Sequence, residues 1–140
     1  MGNNVANEAE HAAQQDGFYD DLAGLHILLD DMYDECKEWD WDGFDAYPIS
    51  ELTLEYAHQF IELIPDGIPM PLVGCEPAGD ITFEWYKNPD RVVSVNISDN
   101  GLVDYVTSMD REYFSGSLEI ENHEFPEILL DMIKKMYATQ

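Results

Sequence analysis

Carboxylates dominate the chemistry this chain offers, and they crowd most closely around a cluster of rings. The stretch Trp39-Asp40-Trp41-Asp42-Gly43-Phe44-Asp45-Ala46-Tyr47-Pro48 holds four aromatics and three aspartates. Alternating acids about a glycine suit a hard cation, which takes oxygen ligands from closely spaced side chains. A calcium loop needs ligands at positions 1, 3 and 5, a glycine at 6 and a bidentate glutamate at 12. With Gly43 at position 6, Glu38, Asp40 and Asp42 fill 1, 3 and 5, but Ile49 falls at 12. Starting at Asp40 brings Glu51 to position 12 and puts Asp45 where the glycine belongs. Neither register closes the cage. The other reading is structural. Some of Trp39, Trp41, Phe44 and Tyr47 anchor a helix-to-helix connection in the core, Gly43 eases the turn, and the aspartates face solvent.

Other reactive residues are dispersed. His11, His26, His58 and His123 have no His or Cys partner at metal-ligand spacing. His58 reads as a packed or capping residue and His123 as a turn residue. Cys36 and Cys75 lie 39 residues apart and read as reduced, structural thiols of a cytoplasmic protein, with Cys36 a small core residue. There is no glycine-rich phosphate loop before a helix and no Gly-x-Ser-x-Gly elbow. Carboxylate pairs are too many for any one to indicate glycosidase-like chemistry. The expectation is a non-enzyme with no cofactor.

Trp41 to Ser50, W-D-G-F-D-A-Y-P-I-S, resembles the W-D-G-[YF]-x-A-x-P signature of small bacterial proteins of unknown function. In those proteins a helix follows, then a strand with a Glu-Trp pair, which would be Glu84-Trp85 here. The resemblance spans roughly residues 39 to 107. It implies a shared fold and carries no reaction.

Charge narrows the partner. Thirty acids face six basic residues, a net charge of −24. Such a field repels nucleic acid and anionic membrane and attracts basic proteins and cations. Direct nucleic-acid binding needs Lys and Arg clusters to displace counterions, and only Lys134 and Lys135 are adjacent. Residues 1 to 45 hold thirteen acids and one lysine, half of the net negative charge. Asp20, Asp21, Asp30, Asp31, Asp34, Glu35, Glu38, Asp40, Asp42 and Asp45 are the candidate partner-binding residues. Acids every three or four residues on a helix approximate part of a row of phosphates. The expectation is an inhibitor or immunity-type protein, anti-nuclease or anti-CRISPR-like, that occupies a basic surface of a nuclease, toxin or nucleic-acid-binding complex. The alternatives are a calcium-binding helix-loop-helix module and a solvated housekeeping domain.

The elements that must position these residues are legible in the hydrophobic pattern. Residues 1–16 are polar and expected as a flexible N-terminus, with no apolar core of a secretory signal. Residues 17–140 are expected as one α+β domain; 45% hydrophobic and 12% aromatic content suits a buried core. No apolar run approaches the length of a membrane span. Phe18, Leu22, Leu25, Leu29, Met32, Cys36 and Trp39 recur at spacings 4, 3, 4, 3, 4, 3, one stripe on a helix from Phe18 to Lys37. That stripe docks on its own domain or on a second copy, so a homodimer is an option. Ser50 caps a second helix, with Ile49 and Leu54 placed as a hydrophobic staple. It carries Leu54, Ala57, Phe60, Ile61 and Ile64 inward and stops at Pro65-Asp66-Gly67. Five strands are expected, beginning near Leu72, Ile81, Val93, Leu102 and Tyr113, with Asn100-Gly101 as a hairpin turn. Pro126 opens a last helix with Phe125, Leu129, Met132, Ile133 and Met136 as its apolar stripe. The whole predicts two N-terminal helices, an antiparallel meander of four or five strands and a C-terminal helix on one sheet face.

Overall fold

The computed structural model describes residues 21–120 and 124–138. Residues 1–16 lie outside these, as do Phe18, Asp20 and His123.

Helix α1 runs Leu22–Cys36. Its start is set by Asp21, whose extended backbone stands outside the helix and whose carboxylate accepts from Gly24 N at 2.8 Å. That cap places the start later than Phe18, where the apolar spacing alone put it, because a side chain that takes an orphan N–H fixes a helix terminus. Leu25, Leu28, Leu29 and Cys36 are buried, and Leu22 and Met32 pack against the same cluster. The stripe is covered by helix α2, Glu51–Glu62, and by strand β1, Leu72–Cys75. Self-association through it would have to uncover Leu25 and Leu29. Trp39 does not continue the stripe: it is 54% exposed, because the helix ends at Lys37.

Helix α2 begins as expected. Ser50 Oγ accepts from Thr53 N at 3.1 Å, with Ile49 buried before the cap. Its inward face is Thr53, Ala57, Phe60 and Ile61.

The sheet is an antiparallel meander in the order β1-β2-β3-β4-β5, with β2 Ile81–Asn88, β3 Arg91–Ile97, β4 Leu102–Met109 and β5 Glu112–Glu119. Register puts Phe83 opposite Val95 and Val95 opposite Tyr105, so one row of side chains crosses the middle of the sheet. Ile81, Phe83, Trp85, Val93, Val95 and Ile97 are buried beneath the helices, while Thr82, Glu84, Ser94 and Asn96 alternate onto the other, half-exposed face. That alternation is what a sheet covered on one side requires. The center of the core is aromatic: Phe60 lies 5.2 Å from Phe83 and 5.5 Å from Phe125, and Trp85 donates its indole N–H to Pro69 O at 2.7 Å. Strand β5 is the loose edge. Phe114, Gly116 and Leu118 share its inward face, yet Phe114 is 45% exposed there.

Helix α3, Glu127–Met136, has Pro126 at its N-cap, one residue before the first turn where it was expected. Leu129, Ile133 and Met136 are buried. Arg91 fixes its far end: the guanidinium donates to Lys135 O and Met136 O at 3.3 and 3.2 Å and pairs with Asp110 in the β4–β5 turn at 3.2 Å. A cation on the last carbonyls opposes the negative end of the helix dipole. Among the described residues no helix is long and apolar enough to cross a membrane.

Candidate protein-binding face

The connection from α1 to α2 is organised by its own aspartates. Asp40 and Asp45 both take φ of 65° and Gly43 takes 80°, a left-handed conformation that aspartate tolerates better than most residues because its carboxylate bonds locally. Asp42 Oδ1 accepts from Phe44 N at 2.7 Å and Ala46 N at 3.1 Å, and Asp40 Oδ1 from Asp45 N at 2.6 Å. Asp40 N donates to Ala46 O at 2.8 Å and closes the loop. The base is tied down by backbone: Tyr47 N donates to Pro77 O at 2.8 Å and Ile49 N to Cys36 O at 2.9 Å.

Ala46 and Ile49, each 1% exposed, anchor this loop in the core. Of the four rings expected to supply anchors, only Trp41 packs against the core cluster, and the other three face outward. Phe44 is 86% exposed, Tyr47 59% and Trp39 54%. Trp39 and Tyr47 meet edge to face at 5.1 Å. Trp41 is half-buried, its indole N–H given to Tyr47 O at 2.8 Å. The physical reason is that carboxylate-to-amide bonds already hold the loop, so burial of the other three rings is not needed to fix it. The outcome is a stiff knob presenting apolar rings to solvent.

The acids expected to meet a partner divide by role. Asp21 caps α1. Asp40 and Asp42 are spent on loop amides. Asp30 bonds His58 at 2.8 Å, and Asp34 lies 3.3 Å from Lys37. Asp31, Glu35, Glu38 and Asp45 are exposed, and their carboxylates make no hydrogen bond or ion pair among the described residues. Helical spacing sets Asp31 and Glu35 in a line that runs toward Glu38 and Trp39. The Asp34–Lys37 pair is solvent-exposed and neutralises little. For calcium, Asp40 and Asp42 each commit an oxygen to backbone N–H groups, and no three metal-type ligands gather among the described residues.

Two clusters escaped sequence reasoning. His26 and His58 meet across the α1–α2 seam with their Nδ1 atoms 2.6 Å apart. The outer nitrogen of His26 lies 2.5 Å from Glu62 Oε2, and that of His58 lies 2.8 Å from Asp30 Oδ1. A signal was present: each helix places a carboxylate four residues after its histidine, in His26-to-Asp30 and His58-to-Glu62. The bonds cross between the helices, which only packing could reveal. The second cluster is Cys36 with Cys75. Their thiols hydrogen-bond each other, which lowers Cys36 from the ordinary thiol value; that bond and burial push Cys75 up.

A cleft of about 480 Å³ between β5 and α3 is lined by Leu118, Phe125, Ile128 and the carboxylates of Glu119, Glu124 and Glu127. It presents no nucleophile beside a base among those residues.

No protein-family model matches this chain, and neither a curated protein nor a solved structure matches it. The likeness carried by Trp41–Ser50 and Glu84-Trp85 therefore rests on residue pattern alone; in the fold Glu84 faces outward on β2 and Trp85 is buried.

Proposed function

We propose that the protein is an acidic protein-binding module that docks on a basic surface of its partner, as an inhibitor or immunity-type protein standing where nucleic acid would stand. The observation that carries this reading is the pre-set loop with Phe44, Trp39 and Tyr47 exposed among Glu38, Asp40 and Asp45. Exposed aromatics on a rigid support are what binding hot spots are made of, since they bury area at little entropic cost. Surrounding carboxylates give the surface a sign: they steer a cationic partner and repel anionic ones. Asp31 and Glu35 extend that sign along α1. The pair of unbridged thiols fits a reducing compartment, and the reading places the protein in the cytoplasm.

The test is a pull-down from host lysate at low ionic strength, followed by kinetics with the recovered partner. Phe44→Ser should weaken binding by about 30-fold through faster dissociation. The amide variant of Asp31, Glu35, Glu38 and Asp45 should slow association at low salt, with the difference shrinking as salt rises. A competing duplex or single strand should displace the protein. A partner that binds both variants like the wild type at every salt concentration would reject the reading.

A further inference from the structure

The His26–His58 contact has a geometry that counts protons. The two rings are within 13° of parallel with centroids 4.8 Å apart, yet their Nδ1 atoms are 2.6 Å apart. Near-parallel rings at that centroid separation bring two ring atoms so close only when they lie side by side in one plane. The contact is thus an in-plane N–H···N bond, not a stack. The outer nitrogens each face a carboxylate oxygen, at 2.5 Å for His26–Glu62 and 2.8 Å for His58–Asp30.

A carboxylate accepts and does not donate, so each outer nitrogen must carry a hydrogen. The two inner Nδ1 atoms then need one hydrogen between them. All three contacts are made together only with three ring protons on four ring nitrogens, an imidazole and an imidazolium sharing one proton. With two protons, one contact sets lone pair against lone pair. With four, two N–H groups point at each other across 2.6 Å. A metal ion does not replace the central proton at this spacing: metal–imidazole bonds of about 2.0–2.1 Å in a tetrahedral site hold the two nitrogens more than about 3 Å apart.

We propose that His26 and His58 form a proton-counting switch at the α1–α2 seam, in which one shared proton clamps the helices together and either losing it or gaining another loosens them. The charged groups about the pair are Asp30 from α1 and Glu62 from α2, with Glu55 one turn before His58. From the other elements packed on these helices, β1 offers no charged group, the buried residues of β2 and β3 are apolar, and the one inward cation of β3, Arg91, is bound to the far end of α3 and Asp110. The rings are about a quarter exposed, at 28% and 26%, so solvent protons reach them. Loosening α1 would displace Asp31, Asp34 and Glu35, which it carries; the switch itself is a property of the chain and needs no partner.

The experiment is ring-nitrogen NMR of the full chain from pH 5 to 9, with hydrogen exchange of α1 amides corrected for intrinsic rates. The expected result is a far-downfield bridging proton coupled to both rings in a middle window and lost on either side. Protection of residues 25–36 should peak in that window and fall by about tenfold on each side, as one charge-assisted hydrogen bond is lost. His58→Gln should abolish the bridging signal and flatten the optimum, while the broad pH response of the other carboxylates stays. Asp30→Asn, a surface change that leaves the core intact, should remove the fall on the basic side, because an amide can donate to the outer nitrogen of His58 and the contacts then need only two ring protons. Rings that titrate independently with no shared proton would overturn the proposal. So would wild-type protection that varies monotonically with pH, or zinc shifting both rings at stoichiometric amounts.

Discussion

Thr107→Val should stabilise this protein, although it removes a hydrogen-bonding group from a sheet. Thr107 sits on the inward face of β4, between Val93 on β3 and Phe114 on β5, and is 0% exposed. Its Oγ1 is buried without a hydrogen-bond partner among the described residues. Leaving a buried hydroxyl unpaired costs about 1–3 kcal/mol by the mutational scale. Valine has nearly the same shape and adds apolar contact where the hydroxyl stood. Part of this gain is offset because the hydroxyl oxygen also fills space that the new methyl must fit. The net expectation is about 1–2 kcal/mol, a rise in Tm of about 3–7 °C for a chain of this length. Urea unfolding followed by the fluorescence of buried Trp85 is the assay. The midpoint should move up at unchanged m-value, which marks a change in stability and not in the unfolded ensemble. Thr107→Ser, which keeps the hydroxyl and loses the methyl, should move it down by about 1 kcal/mol. A valine variant no more stable than wild type would show that the hydroxyl is satisfied and refute the reasoning.

The anchors of the acidic loop can be separated from its rings: Ile49→Ala should cost about 2–4 kcal/mol, whereas Phe44→Ser should leave the unfolding midpoint within about 0.5 kcal/mol of wild type. Asp80 titrates above the ordinary carboxylate range, through burial first and then through the charges of Asp104 and Asp99. The folded state therefore holds this proton more tightly than the unfolded one, so its charge opposes folding at neutral pH and that opposition fades as pH falls through the folded value. Asp80→Asn, which keeps an oxygen for Asn96 Nδ2, should accordingly raise Tm at pH 7, with the gain vanishing in acid. Treatment with excess oxidised glutathione should join Cys36 to Cys75 by thiol–disulfide exchange, releasing reduced glutathione, and peptide mapping should find that crosslink only in the folded protein.

Patterns that act over a few residues were readable. Apolar alternation from Ile81 to Trp85 and from Val93 to Ile97, the Ser50 cap and the Asn100-Gly101 hairpin each express a local rule of backbone geometry, so the five-stranded meander and its helices followed. The boundary at Asp21 was missed because apolar spacing marks a face, while the cap marks an end. Charge was readable as a total, since it needs only counting. Which acids would be occupied was not: Asp42 serves two loop amides, whereas Asp45 faces solvent. The rings of Trp39, Phe44 and Tyr47 look like core residues by composition, and only the folded loop, held by its carboxylates and by Ala46 and Ile49, decides that they face outward. His26 and His58, 32 residues apart, and Cys36 and Cys75, 39 apart, meet because α1 packs on α2 and β1 at one particular rotation. Rotation about a helix axis is set by the sum of all its buried contacts, and no short stretch of sequence carries that sum.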